Sequence, residues 1–195
     1  MPRCFIAIPI PAAIRPSLLR AQKALVSRNA SLYNKIRLTP EQNLHLTLKF
    51  LGDTDHSQVG PLKECLDQLS TQSRLKASQI KGISAFPTHR QARAIFAKIA
   101  TGQSELESLG EHLDDALTSH GFPPATRKRI PHITLARLAR NTPASELETW
   151  LESQRDISLG ELASPELALY ESVLHSNGSI YEILYQNPLS VGGEP

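Results

Sequence analysis

His45-Leu46-Thr47-Leu48 and His132-Ile133-Thr134-Leu135 spell one pattern twice: histidine, apolar, threonine, apolar. Alternate residues of a strand face the same way. His45 and Thr47 therefore share one face and Leu46 and Leu48 the other, and His132 and Thr134 repeat the arrangement. With the apolar face packed into a core, each strand presents an imidazole and a hydroxyl to a cleft. Two such strands facing each other supply a paired acid and base plus two hydroxyl donors. The chain has 195 residues, 7 of them histidine and 40% hydrophobic. Two chance copies of the tetrad are then expected at only roughly 0.002, so the repeat is a signal. The copies lie close to half a chain apart, which suggests two similar lobes within one domain spanning residues 1–195.

The bulk composition sets limits on this reading. A chain of this length can bury a real core, and its ordinary composition argues against disorder. The formal net charge is +2, so any nucleic-acid contact must come from a local patch. Cys4 and Cys65 show neither metal nor disulfide spacing, which fits a reducing, cytoplasmic setting. The apolar start, Phe5 to Ile10, is interrupted by Pro9 and reads as a buried strand and not as a leader. No apolar run is long enough to span a bilayer, and a monomer is expected.

Periodicity interleaves strands and helices. Strands are predicted at Arg3–Ile8, Lys35–Leu38, Leu44–Leu51, Ala92–Ala100 and Pro131–Leu138, with extended, irregular chain over Leu75–Phe86. Helices are predicted at Pro11–Arg28, Gln58–Ser70, Ser104–Ser119 with Ser104 as cap, and from Thr142 or Pro143 to Glu152. Glu166–His175 and Ser179–Gln186 flank Ser176-Asn177-Gly178 as a hairpin, and the tail from Pro188 reads as loose. A hairpin among alternating elements favours an α+β class over a doubly wound parallel sheet.

The tetrads point to phosphate chemistry. Near neutral pH one imidazole can be neutral and its twin protonated. Placed on opposite sides of a phosphorus, one takes a proton from attacking water and the other gives one to the departing ribose oxygen. Each transfer is worth about 10²–10⁴-fold, and in-line attack sets the two nitrogens on the order of 6–8 Å apart. Thr47 and Thr134 would hold non-bridging oxygens. The chemistry calls for no metal and no cofactor. Arg127, Lys128, Arg129, Arg137 and Arg140 flank His132 without an acidic residue. Arg127 and Arg129 could curl over the site, whereas Arg137 points away from His132 if the strand stays regular. Lys49 shares the face of His45 and Thr47. Arg93 stands at a strand start beside Arg90, and Tyr170 and Tyr181 could stack on a base if they face the cleft. His56, His89, His112, His120 and His175 have no HExxH or His-x-His partner and are assigned no role.

These residues carry a resemblance. Arg3-Cys4-Phe5-Ile6-Ala7-Ile8-Pro9, Asn43-Leu44-His45-Leu46-Thr47-Leu48-Lys49-Phe50-Leu51-Gly52, Pro131-His132-Ile133-Thr134-Leu135-Ala136-Arg137 and Leu169-Tyr170-Glu171-Ser172 with a later Tyr181 are spread over nearly the whole chain. The chain resembles the 2H phosphoesterases, and within them the RNA 2′,3′-cyclic phosphodiesterases, also called 2′-5′ RNA ligases. The resemblance implies a bilobal α+β fold, with two antiparallel-rich sheets flanking a cleft and helices outside. It implies hydrolysis of a 2′,3′-cyclic phosphate at an RNA end to a 2′-phosphate, and joining of tRNA halves through 2′-5′ bonds. In that scheme His45 is the general acid and His132 the general base, and Arg127 lies where relatives carry an arginine near the phosphate. Arg129 stands where relatives carry an aromatic, and would replace stacking by a cation–π contact. Two rival readings remain. One is another 2H phosphodiesterase acting on 2′-5′ oligonucleotides or small cyclic nucleotides; the other is a non-catalytic nucleotide-binding module.

Overall fold

The computed structural model describes residues 2–126, 129–140, 142, 145–176 and 178–191. In chain order the elements are β1 (Arg3–Pro9), α1 (Arg15–Arg28), β2 (Ile36–Leu38), β3 (His45–Asp53), α2 (His56–Gln72), β4 (Arg74–Leu75), β5 (Ser78–Phe86), β6 (Ala94–Ile99), α3 (Gln103–Thr118), β7 (His132–Leu138), α4 (Ser145–Ser153), β8 (Ser158–Leu162), β9 (Glu166–His175), β10 (Gly178–Pro188) and β11 (Ser190–Val191).

Among the described residues, nine strands form one sheet in the order β10-β9-β1-β3-β7-β6-β5-β8, with β2 added beside β7. Every pairing in it is antiparallel. The two halves expected from the repeat are both present, but they are continuous. β3 and β7, which carry the histidines, meet at the single ladder pair Leu46↔Ile133. Beyond that rung the edge of β7 is taken over by β2, paired from Ile36↔Leu138 to Leu38↔Ala136.

Helices cover the sheet through their apolar stripes. α1 packs on β7 and β8, α3 on β3, α2 against α3 and β9, and α4 against β5. Leu18 and Leu25 of α1, Leu62 and Leu66 of α2, and Leu106, Leu109, Leu113 and Leu117 of α3 are buried with Leu46, Leu48, Ile133 and Leu135 from the backs of the two tetrads. Burying one such side chain is worth about 1.5–3 kcal/mol, so these contacts set the faces of β3 and β7. α2 starts at a capping box: Asp55 accepts from the Ser57 N–H, and Gln58 accepts from the Asp55 N–H. Among the described residues no helix is long and apolar enough to cross a membrane.

Three expectations need correction. Ser104 does not cap α3; its hydroxyl donates to Glu105, and Gly102 occupies the N-cap at φ +76°. A side chain at Gly102 would meet the Ser78 hydroxyl at 2.2 Å, so the site takes glycine for both conformation and space. Strand β8 has no counterpart in the sequence reading, because Ser158-Leu159-Gly160-Glu161-Leu162 is short and carries a glycine. The tail is partly ordered: β11 pairs in parallel with β4, Ser190 against Arg74 and Val191 against Leu75.

Candidate active site

Each tetrad carries the same irregularity at its end. Along β1, Ala7 pairs with Thr47 but Ile6 pairs with Lys49, so Leu48 is an extra residue in β3. Along β6, Phe96 pairs with Thr134 but Ile95 pairs with Ala136, so Leu135 is the extra residue in β7. A bulge of this kind reverses the facing of the residues beyond it. Exposure consequently runs half-buried, buried, half-buried, buried, buried, exposed from His45 to Phe50, and again from His132 to Arg137. The sequence repeat is thus also a repeat of backbone shape.

Two sequence assignments are reversed by these bulges. Lys49 leaves the face of His45 and Thr47 and turns inward, with its side chain 4% exposed. It pairs there with Asp114 and donates to the Pro123 carbonyl at 2.7 Å. Arg137 comes onto the cleft face beside His132 and Thr134, where regular alternation would have turned it away.

The remaining candidates divide. His45, Thr47, His132 and Thr134 line one cavity of about 620 Å³, together with Phe5, Phe50, Tyr181, Arg3, Arg37 and Arg137. Arg129 does not join them. It pairs with Asp114 and donates from Nε to the Leu48 carbonyl at 3.0 Å, so it clamps the loop before β7 onto the bulge of β3. The Ala125 N–H adds a bond to the same Asp114 carboxylate at 3.0 Å. Burial works against ionisation of Asp114, but the donations from Arg129, Lys49 and the Ala125 N–H outweigh it and hold the carboxyl below its usual range. Arg93 is exposed and works through its backbone, taking up Phe86 and Leu138 at 2.6 and 2.9 Å. Tyr170 is 6% exposed and stacks on Phe5 at 4.9 Å, behind the cleft and not in it. Its phenol is pushed up to about 12 by burial. Arg127 lies outside the described residues.

The two imidazoles are held alike. His45 Nδ1 lies 2.7 Å from the Asn43 carbonyl, and His132 Nδ1 lies 2.7 Å from the Ile130 carbonyl, each two residues upstream. A carbonyl can only accept, so each Nδ1 carries hydrogen and each Nε2 is the working nitrogen. His45 Nε2 is 2.9 Å from the Thr47 hydroxyl. Aromatic rings set the orientations: Phe5 and Tyr181 lie 5.0 and 5.3 Å from His45, and Phe86 and Phe96 lie 5.0 and 5.2 Å from His132. This partial burial is the main cause that lowers both imidazole pKa values. The carbonyl bonds oppose it, while the Arg137 charge adds to it at both rings. From the rung Leu46↔Ile133, the register sets His45 across from Thr134 and Thr47 across from His132. The histidines are then diagonal neighbours across that rung, with backbones roughly 7–8 Å apart and Cβ atoms somewhat closer.

Comparison with known proteins bears on this geometry. The family model described as LigT like Phosphoesterase matches residues 8–96 and 99–181. The chain belongs to the LigT-like phosphoesterase family. Among its LigT-like relatives, an RNA 2′,3′-cyclic phosphodiesterase of Methanocaldococcus jannaschii is 30% identical over 182 residues, 93% of this chain and 98% of the relative. One of Aeropyrum pernix is 30% identical over 153 residues, 77% and 85% of the two chains. Among solved structures, TT0787 of Thermus thermophilus superposes with a TM-score of 0.75 at 26% identity, covering 98% of this chain and all of that one. E. coli LigT complexed with 3′-AMP shares the fold with a TM-score of 0.68 at 22% identity, over 97% and 99% of the two chains.

Proposed function

We propose that this protein is a metal-independent RNA 2′,3′-cyclic phosphodiesterase that leaves a 2′-phosphate. The observation that carries the proposal is the pair of imidazoles fixed in the same tautomer on one cleft, each beside a threonine. His132 Nε2 takes a proton from water as the oxygen attacks phosphorus. His45 Nε2 gives a proton to the departing ribose 3′ oxygen. Thr47 and Thr134 donate to the non-bridging oxygens, and Arg137 supplies the positive charge that the phosphate needs. Atoms balance: water adds across one P–O bond, and no group leaves the RNA. The rate comes from two positioned proton transfers and a preorganised anion site. The reverse transesterification, with a 5′-hydroxyl in the place of water, would make a 2′-5′ bond between RNA pieces such as tRNA halves.

Support comes from the names of the relatives and from the chemistry of the cleft. The test is steady-state hydrolysis of a nucleoside 2′,3′-cyclic phosphate in the presence of a chelator. Wild type should turn over to the 2′-phosphate, and His45→Ala and His132→Ala should each lose about 10²–10⁴-fold in kcat. Full activity in either variant, or loss of wild-type activity with chelator, overturns the paired mechanism.

A further inference from the structure

The two imidazoles hang from the same kind of bond but from different anchors. His45 Nδ1 donates to the Asn43 carbonyl at 2.7 Å. Asn43 is itself buried and tied down. Its side chain donates to the Ser179 carbonyl at 2.7 Å, and its N–H to the Pro40 carbonyl at 2.9 Å. His132 Nδ1 donates to the Ile130 carbonyl at 2.7 Å. Ile130 is placed differently: it is 49% exposed and precedes the first rung of β7, Lys98↔His132. Pro131, on one side of it, is buried but has no N–H to bond. On the other side stands Arg129.

Helix α3 is shaped to receive Arg129. Gly110 and Asp114 are one turn apart and share a helix face. A Cβ on Gly110 would stand 2.9 Å from Arg129 Cδ and 3.1 Å from its Nε, so the side chain lies against bare helix backbone. Glycine inside a helix costs about 0.5–1 kcal/mol relative to alanine, and the seat for Arg129 is what that cost provides. One turn on, Asp114 takes the Nη2 end and shares its carboxylate with Lys49. The Nε end donates to the Leu48 carbonyl at 3.0 Å. Leu48 is the extra residue of β3, directly after Thr47. The planar guanidinium serves carboxylate and carbonyl at once from fixed edges. Arg129 thus spans from the strand of His45 to the residue whose carbonyl holds His132. It is absent from the described lining of the cavity, so it acts through its neighbours.

We propose that Arg129, seated on Gly110 and Asp114, is the positioning residue of the general base. It fixes the Ile130 carbonyl, and through it the tautomer and aim of His132, against the β3 bulge that follows Thr47. The role of His132 as a base rests on the cyclic-phosphate reading; its tautomer and aim do not.

The experiment measures kcat and KM for a nucleoside 2′,3′-cyclic phosphate, and the ring-nitrogen NMR shifts of both histidines through a pH titration, in wild type, Arg129→Gln and Gly110→Ala. Arg129→Gln leaves Asp114 paired with Lys49. It should lower kcat about 10²-fold with KM little moved, as a misplacement on the order of 1 Å predicts. His132 should lose its single Nδ1–H tautomer and titrate lower, because the Ile130 bond is what raises it against burial. Arg137, Lys98 and His45, which face His132 from β7, β6 and β3, are unchanged in these variants. His45 should keep its tautomer, since its carbonyl hangs from Asn43. Gly110→Ala keeps every charge and favours the helix, yet presses on the guanidinium. It should lower kcat several-fold alone and change nothing more in the Arg129→Gln background. Unchanged kcat with an unmoved His132 tautomer in Arg129→Gln overturns the inference, and so does equal loosening of both rings. If Arg129→Gln does not fold, Gly110→Ala decides by the same criteria. Wild type without turnover that still shows the His132-selective change removes the proposed activity and leaves the positioning role standing.

Discussion

Asp114→Asn is the most informative single change to the scaffold of the site. The carboxylate sits between Lys49 and Arg129 with its side chain 9% exposed, and the Lys49 side chain is 4% exposed. Asparagine keeps the shape and one acceptor but leaves two cations without a counter-charge, one of them fully enclosed. Removing one partner of a buried pair costs about 3–5 kcal/mol. Against a typical total of about 5–15 kcal/mol this is a large fraction. With an m-value of about 2 kcal/mol/M, the urea midpoint should fall by roughly 2 M. Asp115→Asn, one residue on and exposed, is the control and should move stability by less than about 0.5 kcal/mol. The effect has a pH signature. A carboxyl depressed in the folded state contributes stability that is present above its unfolded value and lost as pH falls through the folded one. The gap between wild type and variant should therefore close as pH drops below about 3.9. Equilibrium urea denaturation with circular dichroism measures both. A loss under about 1 kcal/mol at pH 7, or a gap independent of pH, would refute the reasoning.

The cleft yields further expected outcomes. Arg137→Ala should lower kcat/KM for a cyclic phosphate by about 10²-fold, as loss of one preorganised positive donor predicts; unchanged kinetics would return Arg137 to solvent. Both imidazoles are depressed in the free protein, so the kcat/KM profile should lie on the acid side of the ordinary histidine range, with limbs that belong to the pair. A bound anion favours the imidazolium, so the kcat profile should lie at higher pH than the kcat/KM profile, and the reverse order contradicts the site. The same depression links to folding: the unfolded histidines bind protons more readily, so stability is full above about pH 6.5 and is lost as pH falls toward the folded values. Thermal melts between pH 7 and pH 5 read this slope, which should flatten in His45→Phe.

The alternation within the tetrads and the apolar stripes of the helices are enough to read the faces of His45, Thr47, His132 and Thr134 from sequence. Their failure point is local. Leu48 and Leu135 each add one residue to a strand, and no side chain marks such an insertion. That single cause turns Lys49 inward and brings Arg137 and Phe50 outward. One hint is present: the place of Lys49 is taken by Ala136 in the second copy, and an apolar residue there suggests a core position. Arg129 escapes a sequence reading for another reason, since its partner Asp114 is brought to it by α3 packing. Tyr170 stands on β9 beside β1 and Tyr181 one strand further out on β10, and that placement is tertiary information. The roles of Asp114 and the aromatic rings around each imidazole carry no local signal.

The rung Leu46↔Ile133 has a mechanical consequence. Each half of the sheet is laced by its own ladder, while the seam between them carries one ladder rung, backed by the Arg129–Leu48 bond and by helices that pack across it. The gap that separates proton giver from proton taker is therefore gauged by that rung and the Arg129 clamp together. Widening it by the girth of a water molecule strains one rung and one side-chain clamp, whereas the same strain applied inside either half must unzip a whole ladder.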